Sequence, residues 1–257
     1  LHAPADDAPR PAPARAEAAP DLAPREDLLR LRERLAEYAR LGAKFTKWRA
    51  VIDVSDTIPS YNAISANAHA LGLDLAQAGI SVDCLPLLDV RQPGAHDVIG
   101  DRALGTEPMR VAALGRATLD GLARAGVAGV VKHMPGHGRS MVDSHKETPL
   151  VTASAQELET DLAPFRALRD APIAMTGHLR FAAWDAENPA THSAFVVQEI
   201  IRKAIGFDGL LLTDDLDMEA LGGSVPDRAV RAQAAGWGAR SRGSRPGTVS
   251  TLMRWRV

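Results

Sequence analysis

The chain has 257 residues, of which 46% are hydrophobic and 24% are charged, with a formal net charge of −2 at pH 7. This composition is ordinary for a soluble globular protein, and the length suffices for one large domain. The nearly neutral charge disfavours nucleic acid or an anionic membrane as a partner, and no apolar run approaches the roughly 18 residues of a membrane span. Cys84 is the single cysteine, which excludes an internal disulfide.

The N-terminal residues 1–24 predict a disordered arm, because 15 of these 24 residues are Ala or Pro. Such a segment cannot bury enough apolar surface to offset its ordering entropy. The first 20 residues also lack the apolar core of a signal peptide, so we expect a cytoplasmic location.

Residues 26–41 predict an amphipathic helix, since apolar side chains recur at helical spacing and Gly42 supplies a stop signal. A strand is expected at residues 43–54, followed by a loop and a helix at residues 57–71. Strands and helices then alternate. The predicted strands are residues 81–85, 127–131, 172–176 and 209–213, and the predicted helices are residues 107–125, 155–169 and 192–205.

This alternation indicates βαβ units around a parallel sheet, an α/β fold. The polar residues Lys132, His133, His178 and Asp214 each come just after a predicted strand. Such residues meet on one rim in a (β/α)₈ TIM-type barrel, which we favour over a doubly wound open sheet.

Four segments resemble, in order, the motifs of family 3 glycoside hydrolases, specifically bacterial β-N-acetylglucosaminidases that recycle cell-wall sugars. They are PGAHDVIGDRALG at 93–105, KHMPGHG with DSH at 132–145, MTGHLRF at 175–181 and GFDGLLLTDDLDMEAL at 206–221. The resemblance covers about residues 71–235. It implies a retaining exo-β-N-acetylglucosaminidase that uses no cofactor and takes terminal N-acetylglucosamine from peptidoglycan fragments as its substrate.

The catalytic residues implied by the resemblance are Asp214 as nucleophile and His145 with Asp143 as the acid/base pair. An imidazole near its usual pKa exchanges protons at neutral pH, and a neighbouring carboxylate orients it. Asp215 is the competing acid, and we assign it instead to capping a helix that begins near Leu216.

The same resemblance implies that Arg102, Lys132 and His133 bind the sugar hydroxyls. His137 and Gly138 are expected to shape the turn. For His178 two interpretations stay open, a residue that lines the pocket and a packed core histidine.

The loop also suggests a metal site, because His133 and His137 have HxxxH spacing. Pro135 and Gly136 lie between them, which excludes a helix and its ligand geometry. We therefore expect no metal.

A second resemblance, over residues 26–70, is to class I fructose-bisphosphate aldolases, in which the residues matching Lys47 and Arg49 face the active site. The Schiff-base lysine motif of that family has no match here. We prefer a strand with solvated basic residues, and keep an aldolase-related protein as the lesser alternative.

The ends of the chain depart from the glycosidase pattern. The acidic Gln-Glu-Gly-Gly-Arg type motif of an early barrel strand has no match, and residues 236–257 form an irregular basic tail with five Arg and no acid. The tail carries no nucleic-acid-binding motif. We thus predict a barrel-like catalytic domain over residues 26–235, with an incomplete barrel, and the main alternative is an inactive chimeric fragment. The oligomeric state is open.

Overall fold

A computed structural model describes residues 59–142, 148–218 and 221–238, the strand Phe45–Thr46, and four isolated helical positions, Glu33, Ala36, Glu37 and Arg40. The predicted arm at residues 1–24, most of the predicted helix 26–41 and the tail beyond residue 238 lie outside these described residues.

A parallel sheet of five strands, in the order β1-β2-β3-β5-β7, organises the described part of the chain. A separate parallel pair is formed by β4 and β6. The strands are β1 Phe45–Thr46, β2 Val82–Asp83, β3 Ala128–Met134, β4 Leu150–Val151, β5 Ile173–Thr176, β6 Arg180–Phe181 and β7 Leu210–Thr213. Because successive strands of the main sheet are neighbours and are linked by helices, the order is that of consecutive strands in a (β/α) barrel.

Within residues 59–238, five helices longer than one turn are described beside the strands, and their ends follow local sequence signals. They are α1 Tyr61–Gln77, α2 Pro108–Arg124, α3 Ala155–Ala167, the π-type helix α4 Val196–Ile205 and α5 Val225–Ala235. Ser154 and Glu157 form both hydrogen bonds of a capping box at the start of α3. Gly206 ends α4 in the left-handed conformation.

Both faces of the main sheet are covered by apolar side chains. Val131, Ala174 and Leu211 are in register across β3, β5 and β7 and join the large cluster beneath the helices. Val130 lies one residue earlier in β3 and packs on the opposite face with Met175. Burial on both faces explains why these strands are continuous apolar runs rather than alternating ones.

The predicted strands and helices between residues 81 and 213 are all present, with shifted ends. The main correction concerns the end of the strand predicted at residues 127–131. In the structure this strand, β3, continues to Met134. The backbone of Lys132 still pairs with that of Met175, so the polar side chains mark the rim of the sheet but do not end the strand. The helix expected near Leu216 is a turn in the described residues, and α5 was not predicted.

No helix in the described parts of the chain combines the length and the apolar character needed to cross a membrane.

Candidate active site

The carboxyl ends of β3, β5 and β7 bring the predicted polar residues to one rim. His133 lies near the end of β3, and Asp214 directly follows β7. The backbone amide of Asp214 donates to the carbonyl of Thr176, the last residue of β5, at 3.1 Å. Parallel strands end at the same edge of a sheet, which is why residues distant in sequence become neighbours here.

Asp89 is the buried anchor of this rim. Its Oδ2 lies 2.7 Å from Nδ1 of His133, and its Oδ1 accepts from the backbone amides of His133 at 3.1 Å and His137 at 2.8 Å. Burial alone would raise the pKa of the Asp89 carboxyl, but the neighbouring His133 and these hydrogen bonds lower the pKa below its ordinary value. Asp89 is therefore a carboxylate at neutral pH.

The imidazole of His133 joins two carboxylates. With Nδ1 bonded to Asp89, its Nε2 faces Asp214 at 3.7 Å from Oδ2. Nδ1 is thus hydrogen-bonded to Asp89, whereas Nε2 lies within ion-pair range of Asp214 but beyond hydrogen-bond distance. The side chain of Asp214 is 17% exposed, whereas that of Asp89 is completely buried. Of these two carboxylates, only that of Asp214 can meet a ligand.

The carboxylate of Asp214 is also fixed by its own backbone. Its Oδ1 accepts from the amide of Asp215 at 3.0 Å. Asp215 in turn uses its Oδ1 to accept from the amide of Asp217 at 2.8 Å, which closes an Asx-type turn. The two adjacent acids are therefore held differently, because the side chain of Asp215 stabilises the turn after the strand.

His137 and Gly138 pack the β3 loop against the segment that carries Asp89. Burial and the neighbouring His133 lower the pKa of His137 from 6.5 to about 4, so this imidazole is neutral at pH 7. A Cβ on Gly138 would lie 1.8 Å from the carbonyl oxygen of Val90, a distance that no side chain can occupy. Gly138 is needed for this close approach of two backbones.

The remaining predicted site residues are placed as follows. Lys132 is buried in β3, next to His133. Arg102 is half-buried in the loop that follows Asp89, and its Nη2 donates to the Val98 carbonyl. Asp143 and His145 lie outside the described residues. His178, for which two interpretations were open, is a buried histidine whose two ring nitrogens both have partners.

Asp89 is the functional residue that sequence reasoning missed. Its signal was present, because it follows the apolar run Leu85–Leu88 just as Asp214 follows β7. Its hydrogen-bond partner His133, however, lies 44 residues away in the sequence. No local pattern links them.

The described site includes the partly exposed carboxylate of Asp214, the imidazole of His133 and the amine of Lys132. These groups suit hydrogen bonding to a polar ligand, and the carboxylate can act as an oxygen nucleophile. No group of three or more His, Cys, Asp or Glu side chains within the described residues is arranged to hold a metal ion.

Residues 42–238 match the model of the glycosyl hydrolase family 3 N-terminal domain. The chain belongs to glycosyl hydrolase family 3. This match begins well before the range of about 71–235 indicated by the motifs, so it includes much of the segment that resembles aldolases. It also agrees with the α/β, TIM-type fold of the described strands and helices.

Curated relatives in family 3 carry the name beta-hexosaminidase. The protein from Bordetella avium is 39% identical over 184 residues, covering 70% of this chain and 51% of its own length. The one from Tolumonas auensis is 38% identical over 172 residues, covering 65% of this chain and 51% of its own length. The chain thus spans about half the length of the curated relatives it matches.

Solved family 3 structures superpose on the same region. A β-N-acetylglucosaminidase from Paenibacillus sp. has a TM-score of 0.68 at 32% identity, covering 79% of this chain and 45% of that one. NagZ from Neisseria gonorrhoeae, solved with N-trifluoroacetyl-D-glucosamine, has a TM-score of 0.66 at 28% identity, covering 81% of this chain and 69% of that one.

Proposed function

We propose that the protein is a retaining exo-β-N-acetylglucosaminidase that removes terminal N-acetylglucosamine from peptidoglycan fragments in the cytoplasm. The observation that carries this proposal is the partly exposed carboxylate of Asp214, held at the rim beside a histidine that a buried aspartate anchors. Membership of family 3, and relatives named for hexosaminidase activity, support the same substrate class.

In the first step, an oxygen of Asp214 attacks the anomeric carbon of the sugar. The bond from that carbon to the leaving oxygen breaks, and the leaving oxygen takes a proton from His145. The product is an ester between Asp214 and the sugar. The amide of Asp215, bonded to Oδ1, leaves Oδ2 as the attacking oxygen.

In the second step, water attacks the same carbon and gives its proton to His145, and the ester bond breaks to restore the Asp214 carboxylate. Asp143 would stabilise the imidazolium form of His145, which gives up its proton in the first step and is restored in the second. The roles of Asp143 and His145 are those that the family resemblance of the DSH motif implies.

Substrate binding would use the donors around the carboxylate. Near the carboxyl end of β3 lie Lys132 and His133, and Arg102 lies in the loop that follows Asp89. A site that hydrogen-bonds several sugar hydroxyls discriminates strongly, because a substrate lacking one leaves a buried polar group unpaired.

The test is release of a chromophore from an aryl N-acetyl-β-D-glucosaminide, with the matching aryl β-glucoside as the control substrate. We expect hydrolysis of the former alone, loss of activity below detection for Asp214→Ala, and retained activity for Asp215→Asn, which keeps the oxygen that accepts from Asp217. Equal inactivity of the wild type and Asp214→Ala would instead support an inactive fragment. Loss in Asp215→Asn but not in Asp214→Ala would exchange the roles of the two acids.

The peptidoglycan part of the proposal needs its own substrate pair. N-acetylglucosamine linked to N-acetylmuramic acid should be cleaved with a higher kcat/KM than N-acetylglucosamine linked to a second N-acetylglucosamine. Equal rates would leave a general β-N-acetylhexosaminidase.

A further inference from the structure

A second histidine, His178, contacts the turn that carries Asp214 from below the rim. It follows β5, is 1% exposed, and its Nε2 lies 2.9 Å from the carbonyl oxygen of Asp215. Its Nδ1 lies 2.7 Å from the hydroxyl of Thr191. That hydroxyl is also 3.0 Å from the hydroxyl of Thr176. A buried chain of polar groups therefore ends on the carbonyl of Asp215, the residue after Asp214.

The direction of each hydrogen bond in this chain follows from its last acceptor. A carbonyl oxygen only accepts, so Nε2 of His178 must carry the proton that it donates to Asp215. Burial lowers the pKa of His178 below its ordinary value, which keeps the ring neutral and leaves Nδ1 as an acceptor. Thr191 then donates its single proton to Nδ1 at 2.7 Å in preference to the Gly177 carbonyl at 3.3 Å, and Thr176 can donate to Thr191.

Two residues at the carboxyl end of β5 hold the Asp214 turn from both sides. Thr176 accepts from the amide of Asp214 at 3.1 Å. His178 donates to the carbonyl of Asp215, one residue further on. Between these two bonds, the amide of Asp215 holds Oδ1 of the Asp214 carboxylate at 3.0 Å. The Asp215 carbonyl lies in the next peptide unit, so its bond to His178 restrains the backbone rotation of Asp215 and thereby the amide that holds Oδ1 of Asp214.

We propose that His178 is a positioning residue for Asp214, with the hydroxyl of Thr191 selecting the histidine tautomer that holds the Asp215 carbonyl. This proposal rests on the proposed function only for its kinetic consequence. His178 does not touch the substrate; it fixes the backbone that aims the nucleophile.

The kinetic test compares His178→Ala with His178→Gln, because the amide nitrogen of glutamine can reach the place of Nε2. A displacement of the nucleophile by about 1 Å can cost about 100-fold in rate. We expect kcat to fall by about 100-fold in His178→Ala with KM changed by less than about threefold, and His178→Gln to recover most of that loss. Thr191→Val should resemble His178→Ala, since valine keeps the shape but cannot donate to Nδ1.

The structural test does not depend on activity. A ¹⁵N-detected histidine spectrum should show the Nε2–H tautomer for His178 and lose that signature in Thr191→Val. Amide hydrogen exchange over residues 213–216 should accelerate in His178→Ala, while exchange in α1 stays constant. His69→Gln, a half-buried histidine on α1, is the matched control and should change neither measurement.

These outcomes separate the two proposals. An inactive wild type would remove the proposed function, and accelerated exchange at residues 213–216 would still support the positioning role. Unchanged exchange, an unchanged kcat in His178→Ala, or a failure of His178→Gln to recover activity would overturn the positioning role even in an active enzyme.

Discussion

Nε2 of His133 lies 3.7 Å from Oδ2 of Asp214, although β5 separates the two strands that carry these residues. Asp89 fixes the far side of the imidazole at 2.7 Å, so the ring is held between a buried and a partly exposed carboxylate. The buried carboxylate of Asp89 therefore fixes the orientation of the imidazole ring from the protein interior. The partly exposed carboxylate of Asp214 remains at the rim.

Removing the charge of the buried acid should therefore cost both stability and activity. In Asp89→Asn the ring nitrogen and two backbone amides face a weaker acceptor, and hydrogen bonds to a charged group are worth about 1.5–3 kcal/mol each. The free energy of unfolding, measured in urea at pH 7, should fall by about this amount. Asp97→Asn, which breaks only an exposed pair with Arg91, should leave the unfolding midpoint unchanged.

The stability of the fold in acid provides a second test of the role of Asp89. Because the folded pKa of Asp89 is lowered below 3.8, its stabilisation is present above that value and is lost as the pH falls through the folded pKa. The wild type should thus lose stability at pH values below about 4 more steeply than Asp89→Asn. Parallel acid profiles for the two proteins would contradict this assignment.

His137 should make the protein less stable in mild acid. Its pKa is about 4 in the fold and 6.5 ordinarily, so between these values the unfolded chain binds the additional proton. The free energy of unfolding should fall between pH 7.5 and pH 5 by up to about 2 kcal/mol from this residue. His137→Gln should flatten that slope.

His192, whose pKa is also lowered from 6.5 to about 4 by burial, contributes in the same pH range. His192→Gln should remove its own share of the slope, and the double variant should be flatter than either. If His137→Gln keeps the full slope of the wild type, the pKa of His137 is not lowered in the fold.

The proposed acid/base role of His145 predicts a dependence on the leaving group. Removal of a general acid costs about 10²–10⁴-fold when the leaving oxygen needs a proton. His145→Ala should therefore lose most of its kcat/KM on a disaccharide and far less on a nitrophenyl glycoside, whose leaving group departs as a stable anion. Equal losses on both substrates would argue against a proton donor at position 145.

The close approach at Gly138 predicts a severe defect for a small substitution. In Gly138→Ala the new methyl group would overlap the carbonyl oxygen of Val90 at 1.8 Å, so the loop must separate from the segment that carries Asp89. We expect a loss beyond about 4 kcal/mol, seen as a large fall in Tm or as insoluble protein. Gly94→Ala is the control, because nothing lies within 4 Å of its Cβ and only the strain of φ +76° remains. Its cost should be about 1 kcal/mol.

Local signals were sufficient to predict the strands of the main sheet and the helices between them, but not α5. The capping box of Ser154 and Glu157 and the stop at Gly206 act within one turn of a helix, so they are visible in the sequence and are present in the structure. The end of β3 was predicted too early, because a change to polar side chains at Lys132 does not interrupt backbone pairing with β5. The small β4–β6 sheet was missed, since two residues per strand carry no periodic pattern.

The candidate site was predictable only in part. The position of Asp214 at a strand end follows from the alternation of strands and helices, and its neighbourhood with His133 follows from the shared rim of a parallel sheet. The roles of Asp89 and His178 do not follow from any local pattern, because each depends on a hydrogen bond to a residue tens of positions away.

The amino-acid sequence by itself determined the family, the strands of the main sheet and the helices between them, because apolar periodicity, caps and short motifs act between residues close in the chain. Tertiary structure alone decided that Asp89 orients His133 and that His178 holds the peptide beyond Asp214. Those contacts exist only after parallel strands stack their carboxyl ends together, where burial makes each hydrogen bond too costly to leave unmade.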